Sequence, residues 1–302
     1  MAVPVIDFSG FTAGSVADRN AVAADVRRAA EQVGFMTLTG AAMSAELLDQ
    51  AFAASRAFFA WPLADKNRLR YRSTQLNHGY VAQGQEALDP ARPTDLKESF
   101  TMRNVTGNRV RTELWPDPSF QETALAFFQQ AQRVAADVLA AFAIGFGLPA
   151  TFFSQHHTGE NQTLRFLHYP PVAGDLQPAQ LGAGAHSDYG SVTLLWQGDQ
   201  VGGLEVLAKN GSWQPVTPVP GAVVVNIGDL LERWTNGVLR STRHRVQPRV
   251  DGRERYSIAF FCDPDSATEV VTLPACVSGE RPDRYPPVQA GEYIRQRLNA
   301  TY

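Results

Sequence analysis

The stretch 184-GAHSDYGSVTLLW-196 decides how this chain folds. Its second half, from Ser191, is β-branched and apolar and predicts a buried strand. Just ahead stand His186 and Asp188, two residues apart. Side chains alternate faces along a strand, so residues i and i+2 point the same way. His186 and Asp188 are therefore expected on one face, with Ser187 turned away. An imidazole beside a carboxylate can bind a divalent metal. The pair alone also reads as a hydrogen-bonded His–Asp couple at a strand edge.

A second run, "STRHRV", puts Thr242, His244 and Val246 on one face and Arg243 and Arg245 on the other. The arginines are expected in solvent and His244 in the core, where a lone histidine is either a hydrogen-bonded core residue or a ligand. His244 follows Asp188 after a hairpin and further strands, a separation that can bring two sheets face to face. Two histidines and a carboxylate then make a facial triad, which holds Fe(II) and leaves positions open. A third run, "RYSIAFF", lines up Arg255, Ser257 and Ala259 on one face and Tyr256, Ile258 and Phe260 on the other. The aromatic and aliphatic face is core. An arginine facing a β core is costly unless it meets a carboxylate. That carboxylate is either an Asp or Glu of the chain or a bound ligand's.

The rest of the chain frames these strands. "VPVIDF" and "FMTLTG" are short strands. "SVADRNAVAADVRRAAEQVG" is a helix with Gly34 as its stop, and "SAELLDQAFAASRAFFAWP" is a second, capped by Ser44 and ended by Pro62. Residues 72–118 show little periodicity and read as irregular. A long helix follows, with Ser119 as its cap. After Pro149 short β-branched runs alternate with turns, and "NG" at Asn210–Gly211 marks a hairpin. The pattern predicts an α+β fold: a helical N-terminal frame packed against a double-sheet β core, as a sandwich, jelly roll or barrel. One domain is expected, with a mostly helical region at 1–150, the core at 151–280 and a C-terminal helix at 281–302.

The chain has 302 residues, 44% of them hydrophobic, and a net charge of -3. That is enough for one large core. Scattered charges argue against nucleic acid or a membrane surface as partner. Cys262 and Cys276 are too few for a disulfide scaffold, which suggests a reducing, cytoplasmic setting. No signal peptide is expected from "MAVPVIDFSG", and no apolar run approaches the roughly 20 residues of a membrane span.

From about Leu164 to Pro264 the chain resembles the iron(II)- and 2-oxoglutarate-dependent oxygenases of the isopenicillin N synthase-like family. The segments carrying the resemblance are "LRFLHYPP", "HSDYGSVTLLWQ", "GSWQPVTPVPGAVVVNIGDLLERWTNG", "STRHRV" and "RYSIAFFCDP", in that order. "VPVIDFSG", "GFMTLTG" and "DLKESF" extend it over nearly the whole chain. The resemblance implies a jelly-roll (double-stranded β-helix, cupin-like) core and that His186, Asp188 and His244 bind Fe(II). It implies that Arg255, Ser257 and Tyr169 hold the distal carboxylate of 2-oxoglutarate. It also implies an oxidoreductase that uses O2 to hydroxylate or desaturate a small organic molecule, releasing succinate and CO2. Two alternatives are an oxidase without 2-oxoglutarate, like isopenicillin N synthase, and an ethylene- or succinate-forming reaction. Relatives usually carry Asn where this chain has Leu167, which takes one polar contact from the cosubstrate pocket.

"NIGDLLERWTNG" reads as architecture, with Asp229 capping a short turn above Trp234. His78, His156, His157 and His168 lack partner spacing, and Cys262 reads as a small buried hydrophobe. The substrate is expected against the segment around 72–105, the strand after Tyr189 and the C-terminal "AGEYIRQRLNATY", with Phe100, Met102, Phe166 and Phe261 as wall residues. A monomer or weak homo-oligomer is expected.

Overall fold

In a computed structural model, which describes residues 2–103, 112–172, 174–198 and 201–299, strand β1 (Val5–Asp7) and helix α1 (Ser9–Ala13) lead into helix α2 (Val16–Gln32). Ser15 starts α2 with a capping box: its hydroxyl accepts from the Asp18 amide, and the Asp18 carboxylate accepts from the Ser15 amide. Gly34 ends it at φ +76°. A Cβ there would sit 2.3 Å from the Arg240 carbonyl, so the chain can turn into β2 (Phe35–Thr39) at this point only as glycine. Helix α3 (Ala45–Phe59) is capped by Ser44 as its sequence predicts, and α4 (Leu63–Arg68) follows Pro62.

The segment expected to be irregular holds two strands, β3 (Gly79–Val81) and β4 (Glu98–Arg103). The long helix α5 (Pro118–Gly145) is capped by Asp117, not Ser119. Pro118, which has no N–H to satisfy, takes the first helical position. That leaves the Asp117 carboxylate to accept from the Phe120 amide at 2.8 Å.

Strands β5 (Thr163–Tyr169), β6 (Ala183–His186), β7 (Val192–Gln197), β8 (Leu204–Leu207), β9 (Trp213–Pro215) and β10 (Val223–Ile227) come next. The Asn210–Gly211 hairpin joins β8 to β9 as read, with Gly211 at φ +82°. Helix α6 (Asp229–Trp234), strands β11 (His244–Val246) and β12 (Arg255–Cys262), the pair β13 (Glu269–Val270) and β14 (Val288–Gln289), and helix α7 (Ala290–Asn299) complete the order.

Eight strands form one sheet in the order β1-β2-β10-β7-β12-β5-β4-β3, and four form a second, β6-β11-β8-β9. The fold is α+β with a jelly-roll core. Strands of the N-terminal region extend the large sheet at both edges, β1 and β2 at one and β4 and β3 at the other. Apart from those strands, the region before β5 supplies α2, α3 and α5, which pack against one another and against the outer face of the large sheet.

Alternation along the strands separates two cores. Outward residues of the large sheet meet α5, as in the edge-to-face pairs Phe127–Trp196 at 5.0 Å and Phe128–Phe260 at 5.2 Å. Each such fully buried ring contributes about 1.5–3 kcal/mol by area. Inward residues, among them Phe35, Leu167, Val206, Val246 and Ala259, fill the space between the sheets. No helix among the described residues is long and apolar enough to cross a membrane.

Candidate active site

His186 is the last residue of β6, and its Cα partner across the antiparallel ladder is His244 of β11. The two histidines are neighbours in one sheet, not members of facing sheets. Asp188 is not on the strand with His186. It lies in the loop before β7, so the shared face expected from alternation is produced by a turn. Three backbone amides dock that loop on the start of α6: Asp229 N donates to Asp188 O at 2.8 Å, Leu230 N to Gly190 O at 3.0 Å and Tyr189 O at 3.2 Å, and Gly228 N to Ser191 O at 2.9 Å. From the large sheet, Asn226 Nδ2 on β10 donates to Asp188 Oδ2 at 2.7 Å. The carboxylate is thus held by one sheet and faces the histidines of the other.

One Asp188 oxygen, Oδ1, lies 3.7 Å from His186 Nε2 and 3.8 Å from His244 Nε2. These distances are too long for hydrogen bonds. His186 Nδ1–H instead donates to Gly184 O at 2.8 Å, and His244 Nδ1–H to Thr242 O at 3.2 Å. Both rings therefore present Nε2 lone pairs toward one point, the arrangement of metal-ligating imidazoles. One ligand atom from each of the three residues fits within 4.8 Å of the others. Burial, with His244 beside it, pushes His186 down to about 3, so it is neutral at pH 7. Burial alone would raise Asp188, but the two imidazoles and hydrogen bonds from Asn226 and Thr193 outweigh it, and the group stays ionised. Two imidazoles and one carboxylate suit a divalent transition metal with open coordination positions.

The triad lines a cavity of about 140 Å³ between the sheets. Arg255, Ser257 and Phe261 of β12 line the same cavity, as do Tyr169 and Leu167 of β5. Arg255 pairs across the ladder with Tyr169, and Ser257 with Leu167. The guanidinium is 1% exposed. It donates to Ser257 Oγ at 3.1 Å and to Gln197 Oε1 at 3.4 Å, and it stands 4.7 Å over the Tyr169 ring. Its Nε has no partner, and no carboxylate among the described residues pairs with it. Burial accordingly pulls its pKa down. A buried cation with unused donors fits a ligand carboxylate and does not fit the internal salt bridge that was the other reading of this arginine.

Phe100, Met102 and Phe166 are not cavity-wall residues. Each is 0% exposed in the outer core, where Phe100 packs edge-to-face on Phe58 at 5.2 Å and Phe120 meets Phe166 at 5.0 Å. Strand parity is the reason: with Tyr169 facing the cavity, Leu167, Arg165 and Thr163 follow it and Phe166 turns away. Phe261 does face the cavity. From the C-terminal segment Ile294 and Leu298 line it, while residues 300–302 lie outside the described residues, as do 104 and 105.

Sequence reasoning missed a charged network on the cavity wall. Arg165 grips Glu86 with both terminal nitrogens, at 3.1 and 2.6 Å, and Lys97 bridges Glu86 at 3.0 Å and also pairs with Asp95. Asp95 in turn accepts from the Gly184 amide at 2.8 Å, tying the network to the strand of His186. Asp229 is not a cap: Gly228 is, and the Asp229 carboxylate accepts from Ser241 Oγ at 2.6 Å and Tyr293 Oη at 3.0 Å. His157 and His168 serve structure, His157 joining Phe153 O to Ser191 Oγ and His168 meeting Glu98 at 2.7 Å.

Comparison with known proteins agrees with this geometry. Residues 160–264 match the 2OG-Fe(II) oxygenase superfamily, and residues 3–118 match the family described as non-haem dioxygenase in morphine synthesis N-terminal. The 2-oxoglutarate-Fe(II) type oxidoreductase hxnY of Emericella nidulans is 34% identical, over 100% of this chain and 90% of that protein. A full-length Neurospora crassa protein, crystallised in complex with alpha-KG and thymine, superposes with a TM-score of 0.90 at 34% identity, covering 99% of this chain and 97% of that one. A 2OG-Fe(II) oxygenase family protein of Caulobacter crescentus, described as putative in its crystal structure, gives 0.85 at 35% identity, covering 99% of each chain.

Proposed function

The chain belongs to the 2OG-Fe(II) oxygenase superfamily, and on that premise we propose the residues with which it holds iron and 2-oxoglutarate and the kind of molecule it oxidises. It is a 2-oxoglutarate-dependent dioxygenase. His186 Nε2, His244 Nε2 and Asp188 Oδ1 hold the iron, and Asn226 orients the carboxylate from its other oxygen. Arg255 takes the distal carboxylate of 2-oxoglutarate through its free donors, with Ser257 and Tyr169 beside it. Leu167 stands next to that pair and offers it only apolar surface.

Bound iron, 2-oxoglutarate and O2 supply the oxidising chemistry, in which one oxygen atom goes to succinate as CO2 leaves and the other oxidises a substrate C–H. The chain's own part is to orient, to exclude water and to set which C–H is reached. Burial keeps the His186 imidazole neutral and available as a ligand at neutral pH. The apolar surface of Leu195, Leu204, Phe261 and Leu298 excludes bulk water from the cavity.

The substrate is a small organic molecule, hydroxylated or desaturated. The cavity size and the thymine complex of the Neurospora protein support this. The observation that carries the cosubstrate assignment is Arg255, fully buried, short of partners and on the same cavity as the triad. The test is titration of the anaerobic Fe(II) protein with 2-oxoglutarate. A visible metal-to-ligand charge-transfer band is expected, and its absence would return the assignment to an oxidase whose own substrate supplies the carboxylate.

A further inference from the structure

Asp263 is a carboxyl of the cavity wall that the described protein groups leave unanswered. It follows β12 directly and lines the cavity, 8% exposed. Its place is fixed from both sides. Ser191 N donates to the Cys262 carbonyl at 3.2 Å, and Asn161 Nδ2 to the Pro264 carbonyl at 2.9 Å. The carboxylate rests against Gly190, where a Cβ would come within 1.8 Å of Asp263 Oδ1. It therefore abuts the loop that carries Asp188. Among the described residues none donates a hydrogen bond to it and none forms an ion pair with it; Arg103 acts on it only at longer range. Burial, reinforced by Asp188, pushes the group up to about 7, the mark of a carboxyl without a donor.

The other charges of the cavity are balanced. Lys97 and Arg165 answer Glu86 and Asp95. On the reading above, Arg255 answers the distal carboxylate, and the two charges of iron answer Asp188 and the remaining carboxylate of the cosubstrate. A buried acceptor left without a donor is unfavourable, and a ligand's donor recovers that cost. Left unanswered, the carboxyl keeps part of its protonated form at neutral pH; a donor placed against it, best of all a cationic one, favours the ionised form, which only accepts.

We propose that Asp263 is a substrate-recognising residue and that the substrate presents an N–H to it, as a protonated amine or the N–H of a nitrogen heterocycle. The inference rests on the iron and cosubstrate assignment above. It is tested on the Fe(II)·2-oxoglutarate enzyme with matched pairs that keep or lose the N–H: piperidine against tetrahydropyran, 2-piperidone against δ-valerolactone, thymine against 1,3-dimethylthymine. Succinate released above the uncoupled background is the score. N–H members should stimulate it by about tenfold or more over their partners. Asp263→Asn should raise the KM of the best of them by about tenfold or more while the affinity for 2-oxoglutarate stays within about twofold. If no N–H member exceeds its partner, or if Asp263→Asn and Asp263→Ala both leave that KM unchanged, the proposal is wrong. Failure of the underlying assignment shows separately, as a missing charge-transfer band in the unsubstituted protein before any panel compound is added.

Discussion

His186 and His244 face each other across a single antiparallel ladder, their ring centroids 4.3 Å apart and each Nδ1 tied to a backbone carbonyl. The register of that ladder, and not the spacing along the chain, makes the pair. Asp188 joins them from a loop anchored on the other sheet. The site therefore depends on both sheets closing together.

Removing a ligand should disable the site while sparing the fold, because the residues lie at a cavity and not in the outer core. His186→Ala and Asp188→Ala are expected to abolish turnover and to lower Fe(II) affinity by about a hundredfold or more, with an unchanged circular dichroism spectrum. Anaerobic Fe(II) titration measures this. Full activity in either variant would refute the iron assignment.

Asn226 contacts no metal on this reading, yet it should matter to metal binding. Its amide holds Asp188 Oδ2 at 2.7 Å and leaves Oδ1 as the ligand atom. Asn226→Ala frees the carboxylate to rotate, and a loss of about 10–100-fold in Fe(II) affinity is expected. Asn226→Asp places a second carboxylate beside the first and should not rescue it. Equal Fe(II) affinity in the wild type and Asn226→Ala would show that the hydrogen bond is incidental.

Much of this site could be read from the sequence because it consists of residue identities in a fixed order. His, Asp, His, Arg and Ser keep their chemistry whichever strands pair. Pairing itself is a long-range choice, so sequence spacing alone does not show that His244 lies beside His186 in one sheet. Once Tyr169 is assigned to the cavity, alternation sends Phe166 to the outer core and brings Arg165 in. Asn226 sat inside a stretch read as architecture, and its role follows only from the position of β10 beside the Asp188 loop. The Glu86–Lys97–Arg165 network joins two loop residues to β5, with no local pattern to announce it. Asp263 carries no such pattern either; it stands out only once the cavity is seen.

The cosubstrate pocket makes a paired prediction. Arg255→Ala leaves a bound carboxylate without its cation, a loss of about 3–5 kcal/mol, or a few hundredfold or more in affinity. The apparent KM for 2-oxoglutarate should rise by at least about two orders of magnitude, and Arg255→Lys should not restore it, because an ammonium cannot reproduce two parallel donors. Leu167→Asn should tighten 2-oxoglutarate modestly. It should also lower stability, since Leu167 is buried between the sheets and its apolar contribution is about 1.5–3 kcal/mol. Charge-transfer titration and urea unfolding of the same variants separate the two effects. Wild-type titration by Arg255→Ala would make the arginine a receptor for something else.

The Glu86 network predicts an acid-sensitive stability. Burial alone would raise the Glu86 carboxyl, but Arg165 and Lys97 outweigh it and hold the group far below the usual range. A folded-state pKa below the unfolded one gives stability that is fully present above the unfolded value, about 4.3, and is lost as pH falls through that value toward the folded one. Glu86→Gln takes the shared carboxylate from two buried cations, leaving Lys97 to Asp95, and should cost about 3–5 kcal/mol at pH 7. The deficit should shrink below about pH 4, where the unfolded wild type binds a proton that the folded state refuses and the variant has none to bind. Urea unfolding of both proteins at pH 7, 5, 4 and 3 measures the difference. A deficit of the same size at pH 3 and pH 7 would mean that Glu86 contributes shape to this wall and not charge.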